Sequence, residues 1–140
     1  ATFHWVADHD ALFRHLAAVI RPGGRLVAQC GGAGNIASIR AILATIGDGW
    51  TGQGHYETPE ATSARLAAAG FTDIETWLQP EPTRFEPGEP LETFLRTVIL
   101  GGHVARLAEA DRDGFVHDVA SRLAEPVIDY VRLNMTATRA

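Results

Sequence analysis

The sequence predicts an α/β fold, and three observations carry that prediction. Phe3 to Gly32 reads as the end of a buried strand, an amphipathic helix, a tight turn and a second buried strand, together a right-handed βαβ unit. Arg65-Leu66-Ala67-Ala68-Ala69-Gly70-Phe71 passes from a helix through glycine into another strand. Val131-Arg132-Leu133-Asn134-Met135-Thr136 alternates apolar and polar residues at the period of a strand, after a long helical tract.

Each element has its own warrant. The first helix spans roughly residues 9 to 21, with Leu12, Phe13, Leu16, Val19 and Ile20 at helical spacing and Asp8 or Asp10 to cap it. Pro22-Gly23-Gly24 stops it, because proline cannot continue the hydrogen-bond ladder. Leu26 to Cys30 is nearly all apolar, as an interior parallel strand would be. Residues 25 to 31 are therefore expected to pair in parallel, and purely antiparallel pairing there would sink the family assignment given below. Gly31 to Asn35 opens a helix at about 36 to 46, closed by Gly47-Asp48-Gly49; Trp50 to Glu57 follows as a loop without a period. Thr58-Pro59 is a strong helix start, and the helix runs to Gly70. Phe71 to Leu78 reads as a strand and Gln79 to Pro90 as an extended connection. Pro90 opens a helix with Leu91, Phe94, Leu95, Val98 and Ile99 on one side, closed by Gly101-Gly102. Asp111 caps a helix to about Glu125, and residues 127 to 138 form the last strand, with Val131, Leu133, Met135 and Ala137 facing one way.

Composition narrows the function classes. A chain of 140 residues has room for one domain with a modest core. A formal net charge of −5 argues against nucleic acid or an anionic membrane as partner, since either wants a basic surface. One cysteine allows no internal disulfide, and no apolar run reaches a membrane span, so a cytoplasmic protein is expected. No metal is expected, because no HExxH, paired-carboxylate or Cys/His ligand spacing is present.

The run Ile20-Arg21-Pro22-Gly23-Gly24 between a helix and an apolar strand resembles the passage from the fourth to the fifth strand of class I S-adenosylmethionine-dependent methyltransferases. Ala1-Thr2-Phe3-His4-Trp5-Val6 resembles the end of their fourth strand, and Arg65 to Phe71 the approach to the sixth. The closing pattern, helices before a last strand, is most similar to the trans-aconitate methyltransferase branch. That resemblance implies a Rossmann-like sheet from the end of strand 4 through strand 7: residues 1–79 as its βαβ part, 80–126 as a helical acceptor-side insertion, 127–140 as the final strand. It also implies S-adenosylmethionine as cofactor and methyl transfer to a small molecule. The glycine-rich loop and the acid that grip this cofactor in the family have no counterpart here. The sequence is therefore expected to be the C-terminal half, inactive by itself, with an open edge at residues 25–31 through which copies could dimerise or exchange strands.

Candidate site residues follow from the resemblance and from the rule that ligands sit at the carboxyl ends of strands in open α/β sheets. Phe3, His4 and Trp5 would wall the methionine end of the cofactor, with Trp5 shared with the acceptor; the competing reading makes Phe3 and Trp5 core aromatics. His55 and Tyr56, in a loop with no packing reason to hold them, and Arg96 and Arg132, able to clamp a carboxylate, complete the acceptor set. The arginines could equally be solvated surface residues. No catalytic residue is named, because a carboxylate acceptor is already ionised. Cys30 reads as a small buried hydrophobe. Two alternatives stand beside methyl transfer. One is a non-catalytic interaction module. The other is a nucleotide site at the Gly31–Gly34 loop, where Gly32-x-Gly34-x-x-Ala37 matches GxGxxG/A.

Overall fold

In the computed structural model, residues 2–140 are described, so Ala1, read above as part of a strand end, lies outside them. The chain divides into two compact units. One comprises the chain up to Asn35, Gly54–Glu81 and Tyr130–Ala140; the other comprises Ile36–Gln53 and Pro82–Asp129. Among the described residues no helix is long and apolar enough to cross a membrane.

The first unit is built on the three-stranded sheet β1 (Arg25–Gly31), β5 (Val131–Arg139), β2 (Phe71–Pro80), in that order. Both outer strands are antiparallel to β5. Helices α1 (His9–Val19) and α3 (Pro59–Ala68) cover one face, where Phe13, Leu66, Cys30, Leu133 and Met135 form the core. Asp8 caps α1 by accepting from the Ala11 amide at 2.8 Å, and Thr58 caps α3 by accepting from the Ala61 amide at 3.2 Å. The helix start at Thr58-Pro59 and the alternation of Leu133, Met135 and Ala137 are as the sequence predicts.

Three expectations fail here. Phe3–Trp5 form a 3-10 turn and not a strand end, because Trp5 and Val6 donate to the Thr2 and Phe3 carbonyls just behind them. No parallel partner for β1 therefore exists among the described residues, and β1 pairs only antiparallel, with β5. Val19, placed in the apolar stripe of α1, is instead 79% exposed, while Leu16, Ala17 and Ile20 on either side of it pack on the core.

The second unit holds α2 (Ala37–Leu43), the two-residue ladder of β3 (Thr83–Arg84) with β4 (Val127–Ile128), and the helices α4 (Glu89–Phe94), α5 (Gly101–Ala105) and α6 (Glu109–Arg122). Ile39, Leu43, Leu95, Leu100, Val116 and Val119 are buried in it. Three corrections belong to this unit. The helix expected to close at Gly101-Gly102 instead passes through a π turn at Leu95–Ile99 and resumes as α5. Gly102 serves close approach and not termination: a Cβ there would lie 3.2 Å from Cη2 of Trp50. Helix α6 starts two residues before Asp111, with Ala108 as N-cap and no capping side chain, so Asp111 acts only as a first-turn acid toward the dipole. The single strand expected over 127 to 138 breaks at Asp129-Tyr130 into β4 and β5, and part of the supposed extended connection is β3.

Ile36, the N-cap of α2, has a left-handed φ of +50°, strained for a β-branched residue. Asp129 offsets this by accepting the Ser38 amide at 2.9 Å and the Ser38 hydroxyl at 2.6 Å, while its carbonyl accepts from the Ile36 amide at 3.0 Å.

Candidate functional site

Because β1 and β2 run the same way, their carboxyl ends share one side of the first unit. There Gly31, Arg132 and Gln79 lie in one row of the sheet. The 3-10 turn brings His4 onto this row, and the backbone amide of Gly31 donates to Nδ1 of His4 at 3.1 Å. An amide can only donate, so Nδ1 carries the lone pair and the neutral ring holds its proton on Nε2. Burial lowers the pKa of His4, with the charge of Arg132 pushing the same way, so the ring is neutral at pH 7.

Around His4 stand two further rings, Trp5 at 4.8 Å and Tyr56 at 5.7 Å between centroids. Tyr56 approaches so closely that a Cβ on Gly31 would lie 2.8 Å from its Cε1, so glycine is required at the strand end. The loop carrying Tyr56 is tied down by the His55 amide, which donates to the His4 carbonyl at 2.8 Å. Arg132 lies 4.3 Å over the Tyr130 ring and pairs with Glu81 at 3.2 Å. Burial raises the pKa of Tyr130, so it stays a neutral phenol.

The structure thus brings His4, Trp5, Tyr56 and Arg132 to one end of one sheet, with the His55 backbone as a strut and its side chain exposed. Trp5 is 54% exposed, which excludes the reading as a core aromatic. Phe3 takes that role, packing edge-on against Phe13 with centroids 6.2 Å apart. Arg96 belongs to the second unit, in the π turn, and is ion-paired with Asp113. Sequence reasoning missed Glu81 and Tyr130, which hold Arg132, and Asn35, whose Oδ1 accepts from the Val131 amide at 2.9 Å. The alternation of the last strand already puts Tyr130 on the side of Arg132, whereas Glu81, 51 residues from its partner, is found only through the strand register.

The glycine-rich loop after β1 does not cradle a phosphate. The amide of Gly32 donates to the Val131 carbonyl, that of Ala33 to Glu57, that of Asn35 to Gly32 and that of Ile36 to Asp129. With these donors taken, the match to GxGxxA is a matter of spacing alone.

No protein-family model and no curated protein matches the chain. Among solved structures it is similar to phosphoethanolamine N-methyltransferase 2 of Haemonchus contortus, determined with phosphomonomethylethanolamine and S-adenosylhomocysteine. The likeness covers 99% of this chain at a TM-score of 0.51 and 19% identity, while the chain spans only 32% of that protein's length. The likeness stands although β1 lacks the parallel partner on which the sequence reading made the family assignment depend. At this identity it establishes the fold: an α/β fold of the kind found in S-adenosylmethionine-dependent methyltransferases.

Proposed function

We propose that this chain is the acceptor-side part of an S-adenosylmethionine-dependent methyltransferase acting on a small carboxylate, as in the trans-aconitate branch that the sequence resembles. The observation that carries the proposal is the fold likeness over 99% of the chain. The residues present fit one end of such a cofactor. When bound, it supplies a sulfonium methyl group, and exposed Trp5 beside neutral His4 offers the uncharged aromatic wall that a sulfonium cation favours. His4 bears on the acceptor class. Its Nδ1 is occupied by the Gly31 amide and its Nε2 is protonated, so it can donate to an oxygen but cannot take a proton from an amine. A carboxylate needs no such base: its oxygen bonds to the methyl carbon while the carbon–sulfur bond breaks. Arg132, which Glu81 now holds at 3.2 Å, is the cation such an acceptor would compete for.

Two measurements test this. Calorimetric titration of the 140-residue chain with S-adenosylmethionine should give a Kd no tighter than about 1 mM, because the family's gripping loop is not in this sequence. Radiolabelled methyl transfer by the product of the intact reading frame should label a small di- or tricarboxylate. Labelling only of amines, or of nothing in a panel covering both, would overturn the reading.

A second reading, an interaction module joining two copies, is favoured by β1. Its edge away from β5 is not paired with any strand among the described residues, and Val27 is 72% exposed. Sedimentation at micromolar concentration separates the cases. A monomer unchanged by Val27→Lys removes this second reading.

A further inference from the structure

Within the second unit, past the carboxyl end of α2, lies a cavity of about 300 Å³ that the proposed methyl transfer does not use. Three rings form one wall. The Trp50 and His103 centroids are 4.3 Å apart, and Phe115 stacks on His103 at 5.9 Å with planes 19° apart. Leu43 and Leu107 supply aliphatic surface. The wall is held in place by hydrogen bonds. Asp48 accepts the Trp50 amide at 3.0 Å with Oδ1 and Arg106 at 2.7 Å with Oδ2, and the Arg106 guanidinium lies 4.3 Å over the Trp50 ring.

Two features select a ligand. First, the cavity has no net charge: Asp48 and Arg106 neutralise each other, and burial lowers the pKa of His103 so that it is neutral at pH 7. A charged ligand would lose hydration without gaining a counter-charge. Second, His103 bonds the Trp50 carbonyl through Nε2 at 2.8 Å. A carbonyl can only accept, so the ring proton is on Nε2 and the lone pair of Nδ1 remains available. The volume lies at the small end of ligand sites, roughly 300–1,000 Å³.

We propose that this cavity binds a small, uncharged aromatic molecule bearing one N–H or O–H donor, its ring against Trp50 and Phe115 and its donor on Nδ1 of His103. Indole and phenol are the simplest members of that class.

The test is an amide and indole NMR titration of the full 140-residue chain with indole, phenol, toluene and benzoate. Indole or phenol should shift the Trp50 and His103 signals saturably, with toluene about tenfold weaker for want of the hydrogen bond and benzoate no better than toluene. His103→Phe keeps a ring and removes the acceptor, so the difference between indole and toluene should disappear. If that variant does not fold, the comparison in the unaltered chain decides. Leu107→Trp, which fills the cavity, should abolish the shifts. Equal binding of indole and toluene, no saturable shift at Trp50, or shifts that survive Leu107→Trp would each overturn the proposal.

Discussion

His4 and His103, in the two separate units, are half-matched opposites. His4 is buried and His103 half-buried, both have pKa values lowered by that burial, and both carry the neutral proton on Nε2. Yet the backbone takes the lone pair of one and the proton of the other: the Gly31 amide occupies Nδ1 of His4, and the Trp50 carbonyl occupies Nε2–H of His103. The same tautomer therefore presents a donor at the sheet end and an acceptor in the helical unit. The chemistry a histidine offers is decided by which main-chain group it meets, and nothing in the residue type or its immediate neighbours announces that.

The comparison breaks most forcefully at Phe13, a fully buried ring that packs edge-on against both Phe3 and His9 beneath the turn that carries His4. Phe13→Ala should cost about 3–5 kcal/mol in urea denaturation. In the protein still folded, the ¹⁵N shift of His4 should move while that of His103 stays. Gly31→Ala comes next, since its methyl would meet the Tyr56 ring at 2.8 Å and Nδ2 of Asn35 at 3.0 Å. A loss of about 1–3 kcal/mol is expected by thermal melting, with the His4 Nδ1 resonance losing its hydrogen-bonded position.

Acid sharpens the comparison by acting on both rings together. Each has a folded pKa below that of the unfolded chain, so the unfolded state takes up protons first as pH falls. Their contribution is full above about pH 6.5 and is lost as pH drops from there through the lowered folded values. Urea midpoints at pH 7.5 and 5.5 should differ in that direction, and the double variant His4→Gln, His103→Gln should flatten the difference. The smallest effect belongs to Glu81→Gln, which releases Arg132 from a partly exposed ion pair. It should change stability by less than about 1 kcal/mol, and the change should shrink in high salt.

Legibility in the sequence followed the range of the forces involved. The caps at Asp8 and Thr58 and the alternation of β5 are local, and they stood in the sequence as they stand in the structure. The start of the chain did not, because Phe3–Trp5 closes on its own carbonyls, a choice that apolar character does not signal. The Gly101-Gly102 pair misled for another reason: Gly102 answers to the Trp50 ring, fifty-two residues earlier. Of the candidate site, the residue types His4, Trp5, Tyr56 and Arg132 were readable, but their assembly depends on the register of β5 against β1. The cavity in the helical unit was invisible, since its rings come from a loop without a period and from two distant helices.

The sheet order β1-β5-β2 has a consequence in time. Among the described residues the two outer strands do not pair with each other; each finds its ladder on β5, which follows every other described element in the sequence. During synthesis, α1, β1, α3 and β2 emerge before β5, the strand to which both β1 and β2 are laddered among the described residues. The ladders join residues more than fifty and more than a hundred positions apart, the kind of long-range closure that slows folding. The sheet β1-β5-β2 cannot be completed before β5 has been translated. Until residues 131–139 are free, β1 and β2 remain open to other chains, and a ribosome stalled before Tyr130 would release a product prone to aggregate.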